Sequence, residues 1–236
     1  PSISNFSDLD PLENESWIRL NWINHAKNLN KFDLLIIPGS KQTIKDLLFL
    51  KENGLLKKIQ EYSKTGGHII GICGGMQMLG RYLKDPYHKE GSEREETNGL
   101  DILPLKTIFL KKKITTQISC KSLWPCKTKL DGFEIHNGIA DLVQNNQYKK
   151  INPIFENERL GWYFINNNKG SITGTYLHGI FENDAWKNSY FNEIRVKKGL
   201  KLLDKKLISY KIKKDAIINN LATQFKNHIN ITSLLN

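Results

Sequence analysis

Arginine, cysteine and methionine are scarce in this 236-residue chain, and the first two shortages each exclude a class of function. Only Arg19, Arg81, Arg94, Arg159 and Arg195 stand among 35 basic residues, so lysine carries the formal charge of +11. A nucleic-acid surface favours guanidinium groups interleaved with aromatics. Lysine scattered beside many Asn and Ile reads instead as solvated surface written by AT-rich codons, and no nucleic-acid partner is expected. Three cysteines, Cys73, Cys120 and Cys126, are odd in number and too few for a disulfide framework. That points to a reducing compartment and a cytoplasmic protein. Cys120 and Cys126 flank Trp124-Pro125 with no further ligand nearby, so no metal site is expected. No apolar run approaches the roughly 20 residues of a membrane span. Pro1 to Asp10 lacks the basic-then-apolar order of a signal peptide. No G-x-x-x-x-G-K-[ST] cradle occurs, so this chain is expected to bind no ATP, Mg or other cofactor. An opening at Pro1 rather than Met fits a piece of a longer protein.

At 39% hydrophobic the chain is long enough to bury a full core. Residues 17–23 offer a weak first strand. Residues 33–37 (DLLII), ended by Pro38 and Gly39, read as a buried parallel strand. Apolar residues at near-helical spacing over 41–64, interrupted at Gly54, predict a broken helix or two helices. A second strand at 67–72 leads through Gly74 and Gly75 into a helix reaching about Leu83. Residues 84–98 are polar and aperiodic, a predicted surface loop. Strand-like runs follow at 105–110, 113–119, 132–136, 160–165 and 171–177, then helical stretches near 183–197 and 204–228. The early alternation predicts an α/β fold with a parallel sheet covered on both faces.

The segment GHIIGICGGMQMLG (67–80) carries the chemistry. A strand ends in Cys73, and glycines and a helix follow at once, the strand–turn–helix geometry of a nucleophile elbow. A thiolate is the attacking species, while a free thiol is mostly protonated at neutral pH. A helix N-terminus behind the sulfur and an imidazole beside it favour the thiolate. Gly71, Gly74 and Gly75 let the backbone turn sharply, and the Gly74 N–H then points where an oxyanion forms. A cysteine after an apolar strand is ordinarily a small buried hydrophobe, but its glycine setting argues otherwise here. The base belongs at the end of a distant strand. Residues 171–184 (SITGTYLHGIFEND) place His178 there, in the general-base position of a cysteine–histidine hydrolase. His136, in DGFEIHNG, also ends a strand and is its rival.

Gly71, Cys73, Gly75 and Gln77 form the G-x-C-x-G-x-Q signature of class I glutamine amidotransferases, which the chain resembles. Further blocks narrow the likeness to the cobyric and cobyrinic acid synthase branch: PSISNFSDLDPL at 1–12, LIIPGSKQTIKDL at 35–47 and GICGGMQMLG at 71–80, then EREETNGLDILPLKT at 93–107, DGFEIHNG at 131–138 and GTYLHGIFEND at 174–184. The resemblance implies a flavodoxin-like sandwich with a largely parallel central sheet. It implies a linker at 1–12, an amidotransferase domain at 13–200 and a helical extension at 201–236 packed on that domain. It implies that Cys73 attacks the side-chain amide of glutamine, that Gln77 helps hold the substrate, and that Gly39 or Ser40 supplies an oxyanion N–H. Most class I members carry a glutamate two residues after the histidine, where this chain has Ile180. Its imidazole is therefore expected to be oriented by Glu182, Glu134 or a backbone carbonyl, or to act in a dyad. Phe133 and Asn137 replace an expected Tyr and Met. The implied partners are an ATP- and Mg-dependent synthetase domain preceding this one and adenosylcobyrinic acid a,c-diamide as ammonia acceptor. The alternative acceptors are those of cobyrinic acid a,c-diamide synthase or of a lipid II amidating complex. A non-catalytic partner domain is disfavoured because Cys73 and His178 are both present.

Overall fold

The computed structural model describes residues 2–90, 95–143, 150–203 and 209–228. A first unit runs through Leu202 and a second begins at Leu203. The first opens with a 3-10 turn at Phe6–Asp8 and α1 (Asp10–Glu13). There follow β1 (Leu34–Ile37), α2 (Thr43–Glu52), α3 (Leu55–Lys64), β2 (His68–Ile72) and α4 (Gly74–Leu79). Then come β3 (Tyr82–Lys84), β4 (Glu96–Asn98), β5 (Leu105–Lys121), β6 (Lys129–Leu142) and β7 (Asn152–Pro153). β8 (Gly161–Ile165), β9 (Ser171–Thr175) and α5 (Asp184–Lys197) complete it, and the second unit holds α6 (Tyr210–His228).

The central sheet has five strands in the order β1-β2-β9-β8-β7, with β1, β2 and β9 parallel and β8 and β7 antiparallel. All five residues of β2 and all five of β9 are buried, as expected of strands covered on both faces. Their ends deliver the two residues the sequence marks for chemistry. A second sheet, ordered β4-β3-β5-β6, is dominated by the long antiparallel pair β5–β6. The main core joins Ile37, Ile44, Leu47, Ile59, Ile69, Met76, Leu79, Leu103, Phe109 and Ile172, among others. Each such side chain contributes roughly 1.5–3 kcal/mol of hydrophobic stabilisation.

Several boundaries differ from the sequence reading. Residues 17–23 form no strand; Ile18, Leu20 and Trp22 alternate as a strand would, but the segment makes no ladder with β1. The helix after Cys73 stops at Leu79 rather than Leu83, because Gly80 turns extended and Tyr82–Lys84 pairs with Leu105's strand as β3. The runs at 105–110 and 113–119 are one strand with a register shift between Phe109 and Ile114, where the lysines 111–113 lie exposed. The run at 132–136 extends to the whole of β6. The expected loop at 84–98 contains β4, and its Asp85 and Glu90 are buried. Residues 91–94 of that loop, 204–208 of the closing helix and Gln144 to Lys149 lie outside the described residues. Gly54 divides α2 from α3 as expected, in the left-handed region at φ 69°.

Gly75 sits where any Cβ would collide with the Ile37 carbonyl of β1. Gly75→Ala is therefore expected to destabilise the fold by about 3 kcal/mol, the upper range for overpacking a core. Gly199, at φ 66° with nothing within 4 Å of its would-be Cβ, should lose only about 1 kcal/mol on the same change. Urea midpoints of the two variants decide this, and equal shifts would contradict the elbow packing.

Candidate active site

Cys73 stands at the turn between β2 and α4 with φ 51° and ψ −111°. Such a backbone is rare for a residue with a side chain and costs on the order of 1–3 kcal/mol. Its surroundings hold it there. The Cys73 N–H donates to the Thr175 carbonyl at 2.7 Å, and its own carbonyl accepts from Gln77 N–H at 3.1 Å. A Cβ on Gly71 would meet the start of α4 at Gly75 and Met76, just as one on Gly75 would meet β1. The glycines of the motif are thus packing requirements of the turn. The Cys73 side chain is only 4% exposed, and its thiol donates to the Ile135 carbonyl at 3.4 Å.

His178 follows β9 and is pinned to β6 by two backbone bonds, His178 N–H to Phe133 O at 2.9 Å and Phe133 N–H to His178 O at 3.3 Å. The Phe133 ring stacks on the imidazole with centroids 5.0 Å apart. Gly132 admits this approach, since a Cβ there would strike the His178 carbonyl. The imidazole Nδ1 bonds the Asp8 carboxylate at 2.7 Å, and the other Asp8 oxygen accepts the Gly179 N–H at 2.9 Å. Nε2 is buried with no hydrogen-bond partner, facing the Cys73 side. Burial alone would lower the imidazole's pKa, but the hydrogen bond to Asp8 and the negative charge of Asp8 and neighbouring Cys73 outweigh it, raising it from 6.5 to about 9. His178 is thereby held as imidazolium at neutral pH.

Asp8 takes the orienting position expected of Glu182, Glu134 or a carbonyl. Glu182 closes a 3-10 turn at Ile180–Glu182, and Glu134 bonds His136 Nε2 at 3.2 Å. His136 also bonds the Gly138 carbonyl through Nδ1 at 2.6 Å and stacks on Tyr176 at 3.7 Å. Both of its ring nitrogens are engaged, whereas His178 Nε2 is not. Of residues 1–12, expected to be a linker, those described pack into the first unit: Ile3 bridges to Ser40, and Leu9 and Leu12 are buried. Asp8 carried no sequence signal of its own. Only the ordered block at 1–12 pointed to that stretch.

The Pro38–Ser40 turn lies against the elbow. A Cβ on Gly39 would come within 3.1 Å of His178 Cε1 and 3.7 Å of Cys73 Cβ, and one on Gly74 within 2.9 Å of the Ser40 amide nitrogen. The N–H groups of Ser40 and Gly74 donate to nothing among the described residues, a pair of free donors beside the sulfur. Gln77, expected to help hold the substrate, is buried on α4. Its buried amide donates to Tyr176 Oη at 3.2 Å and accepts from Thr43 Oγ1 at 3.4 Å. Tyr176 in turn donates to the Gly138 carbonyl at 3.0 Å, so Gln77 braces α4 against β6.

Glu90 is a residue that sequence reasoning missed. Only 3% exposed, its carboxylate accepts the Thr43 N–H at 2.5 Å at the start of α2, where Gln42 provides no side-chain cap. Burial raises its pKa, against the hydrogen bonds from Thr43 and Asn137. No cation among the described residues pairs with it. Asn137, the departure from the expected Met, thus holds this carboxylate. A cavity of about 580 Å³ lies on the other side of the Pro38–Ser40 turn, against β1 and residues 19–24; neither Cys73 nor His178 lines it.

The sequence matches the model of the CobB/CobQ-like glutamine amidotransferase domain over residues 1–186. It is 57% identical to the cobyric acid synthase of Prochlorococcus marinus strain AS9601, over 100% of this chain and 47% of the relative. The cobyric acid synthase of strain MIT 9515 is 58% identical over the same shares. The chain therefore spans about half the length of the curated relatives it matches. A solved glutamine amidotransferase superposes with a TM-score of 0.55 at 13% identity, over 79% of this chain and 89% of that one. The PurLQS structure from Thermotoga maritima gives 0.51 at 14% identity, over 75% and 85%. Both share the fold, and the expected α/β class with a largely parallel central sheet is right.

A pKa raised in the folded state adds stability that is full below the unfolded value of 6.5 and is lost as pH rises through about 9. In Asp8→Asn the His178 titration, followed by NMR of the ring protons, should move down from about 9. The stability gap between wild type and variant should narrow as pH climbs through the same range. An unchanged His178 titration would remove Asp8 as its partner.

Proposed function

Because the chain belongs to the family of CobB/CobQ-like glutamine amidotransferase domains, we propose that Cys73, His178 and Asp8 hydrolyse glutamine and that the ammonia serves cobyric acid synthesis. The Cys73 thiolate attacks Cδ of the side-chain amide, and the carbonyl oxygen becomes an oxyanion facing the Ser40 and Gly74 N–H groups. His178, protonated at Nε2, gives that proton to the departing nitrogen, which leaves as ammonia when the intermediate collapses to a thioester. Neutral His178 then takes a proton from water as its oxygen attacks the thioester. Collapse releases glutamate and restores the thiolate–imidazolium pair. Asp8 holds the proton on Nδ1 throughout, so that Nε2 is always the nitrogen presented to sulfur. Glu90, a buried anion lacking a described counter-ion, is suited to receive the substrate's α-ammonium group.

The observation that carries this reading is the unpartnered His178 Nε2 beside a strained cysteine, with two free N–H donors at the same turn. The acceptor reading rests on the relatives. Cobyric acid synthases match the whole chain with about half their length, and the chain contains no phosphate cradle of its own. ATP and Mg would then act in the preceding half, which activates the carboxylates of adenosylcobyrinic acid a,c-diamide for amidation.

In the full-length enzyme, Cys73→Ser is expected to abolish amidation from glutamine while sparing amidation from high free ammonia. His178→Ala should lower glutamate release by at least the ~10²-fold of a lost general base, and His136→Ala by less. Initial rates with both nitrogen sources test all three. Glutamine-dependent turnover surviving in Cys73→Ser, or His136→Ala falling further than His178→Ala, would overturn the assignment.

A further inference from the structure

One short segment, Ser2 to Asp8, touches both halves of the catalytic machinery. Ser4 N–H donates to the Gly39 carbonyl at 2.9 Å, Lys41 N–H donates to the Ser2 carbonyl at 2.9 Å, and Ile3 bridges Ser40. Asp46 ties the same turn, accepting Ser2 N–H at 3.0 Å and the Ser40 hydroxyl at 2.6 Å. Six residues on from Ser2, Asp8 grips the imidazole. A shift of this segment would displace the Ser40 donor and the base together. Its outer side is unusual. Phe6 is 59% exposed and Trp22 55% exposed, and the two rings lie 5.7 Å apart as one aromatic patch. Phe6 begins the 3-10 turn that ends in Asp8. The 580 Å³ cavity is lined by Ile3 and Leu9 of the segment together with Trp22, Gly39 and Ser40 among others, which leaves room for the segment to move.

We infer that the Phe6–Trp22 patch is the docking surface for the preceding half of the full-length polypeptide, and that docking there sets Asp8 and the Gly39–Ser40 turn for glutamine hydrolysis. The inference rests on the proposed glutaminase–synthetase organisation. Continuity supplies the occupant: relatives are about twice as long as this chain, which matches their C-terminal part, so the segment carrying Phe6 and Asp8 leads directly from that half. Two exposed aromatic faces are what such an intramolecular interface buries.

The test uses the full-length protein. Trp22→p-benzoylphenylalanine, photolysed and mapped by peptide mass, is expected to cross-link to the preceding half. Cross-links to a second copy or to residues after Leu203, or none, would overturn the docking. In parallel, Phe6→Ser combined with Trp22→Ser should leave the basal glutaminase rate and ammonia-driven amidation unchanged. It should lose the rise in glutamine hydrolysis that ATP and acceptor are expected to produce in wild type. Full stimulation in the double variant, or none in wild type, would overturn the coupling. Absence of amidation from either nitrogen source in wild type would instead contradict the acceptor reading, and the cross-link would still decide the docking.

Discussion

The hydrogen bond between Asp8 and His178 joins groups 170 residues apart, and the geometry of the proposed active site depends on it. An imidazole buried without a partner would shed its proton and turn freely between tautomers. A carboxylate buried without donors would be costlier still. Together they satisfy each other, and the Gly179 N–H fills the second carboxylate oxygen. Closing so long a loop costs about 4–5 kcal/mol in chain entropy. Burying Leu9 and Leu12 beside Asp8, at roughly 2–3 kcal/mol each, offsets that. The buried ion pair of Lys187 with Glu15, at 2.6 Å, fixes the exit of the segment onto α5.

The remaining parts converge on this pair from the two sheets. The central sheet presents Cys73 and His178 at adjacent strand ends, because β2 and β9 are neighbours in register, Gly71 opposite Gly174 and Ile72 opposite Thr175. The second sheet supplies the wall. β6 clamps the His178 backbone, stacks Phe133 on its ring and offers the Ile135 carbonyl to the thiol. His136, Tyr176, Gln77 and Thr43 form a buried relay that locks this wall to α4 and α2. Polar groups buried together in this way hold a single arrangement, since each lost partner leaves another unsatisfied.

The parts of the site legible in the sequence are those with short-range causes. An elbow needs glycines at fixed offsets from its nucleophile, so Gly71, Cys73 and Gly75 declare themselves within five residues. His178 declares itself through a strand ending in a polar turn. Asp8 has no such local signature, because an aspartate before a short helix reads as an ordinary cap and its meaning comes from a contact across the chain. Glu90 is hidden for a related reason. A charged, aperiodic stretch suggests solvent, and only the tertiary fold shows its carboxylate capping α2. The extent of β3 and β5 was also obscured, since half-exposed strands of lysine and threonine alternate weakly. Residues 17–23 erred the other way, with a strand's alternation but no ladder.

The most direct measurement is the rate at which a diazo-ketone glutamine analogue labels the folded protein, with the adduct mapped by peptide mass, in wild type and in Asp8→Ala. Labelling is expected at Cys73 and not at Cys120 or Cys126, with suppression by excess glutamine and a rate at least about tenfold lower in the variant, less than the ~10²-fold of losing the base itself. Cys120, whose burial raises its pKa to about 11, serves as an internal control for an unactivated thiol. Equal labelling of the three cysteines without protection by glutamine would contradict a formed active site. Labelling of Cys73 at the wild-type rate in Asp8→Ala would contradict the role given to Asp8.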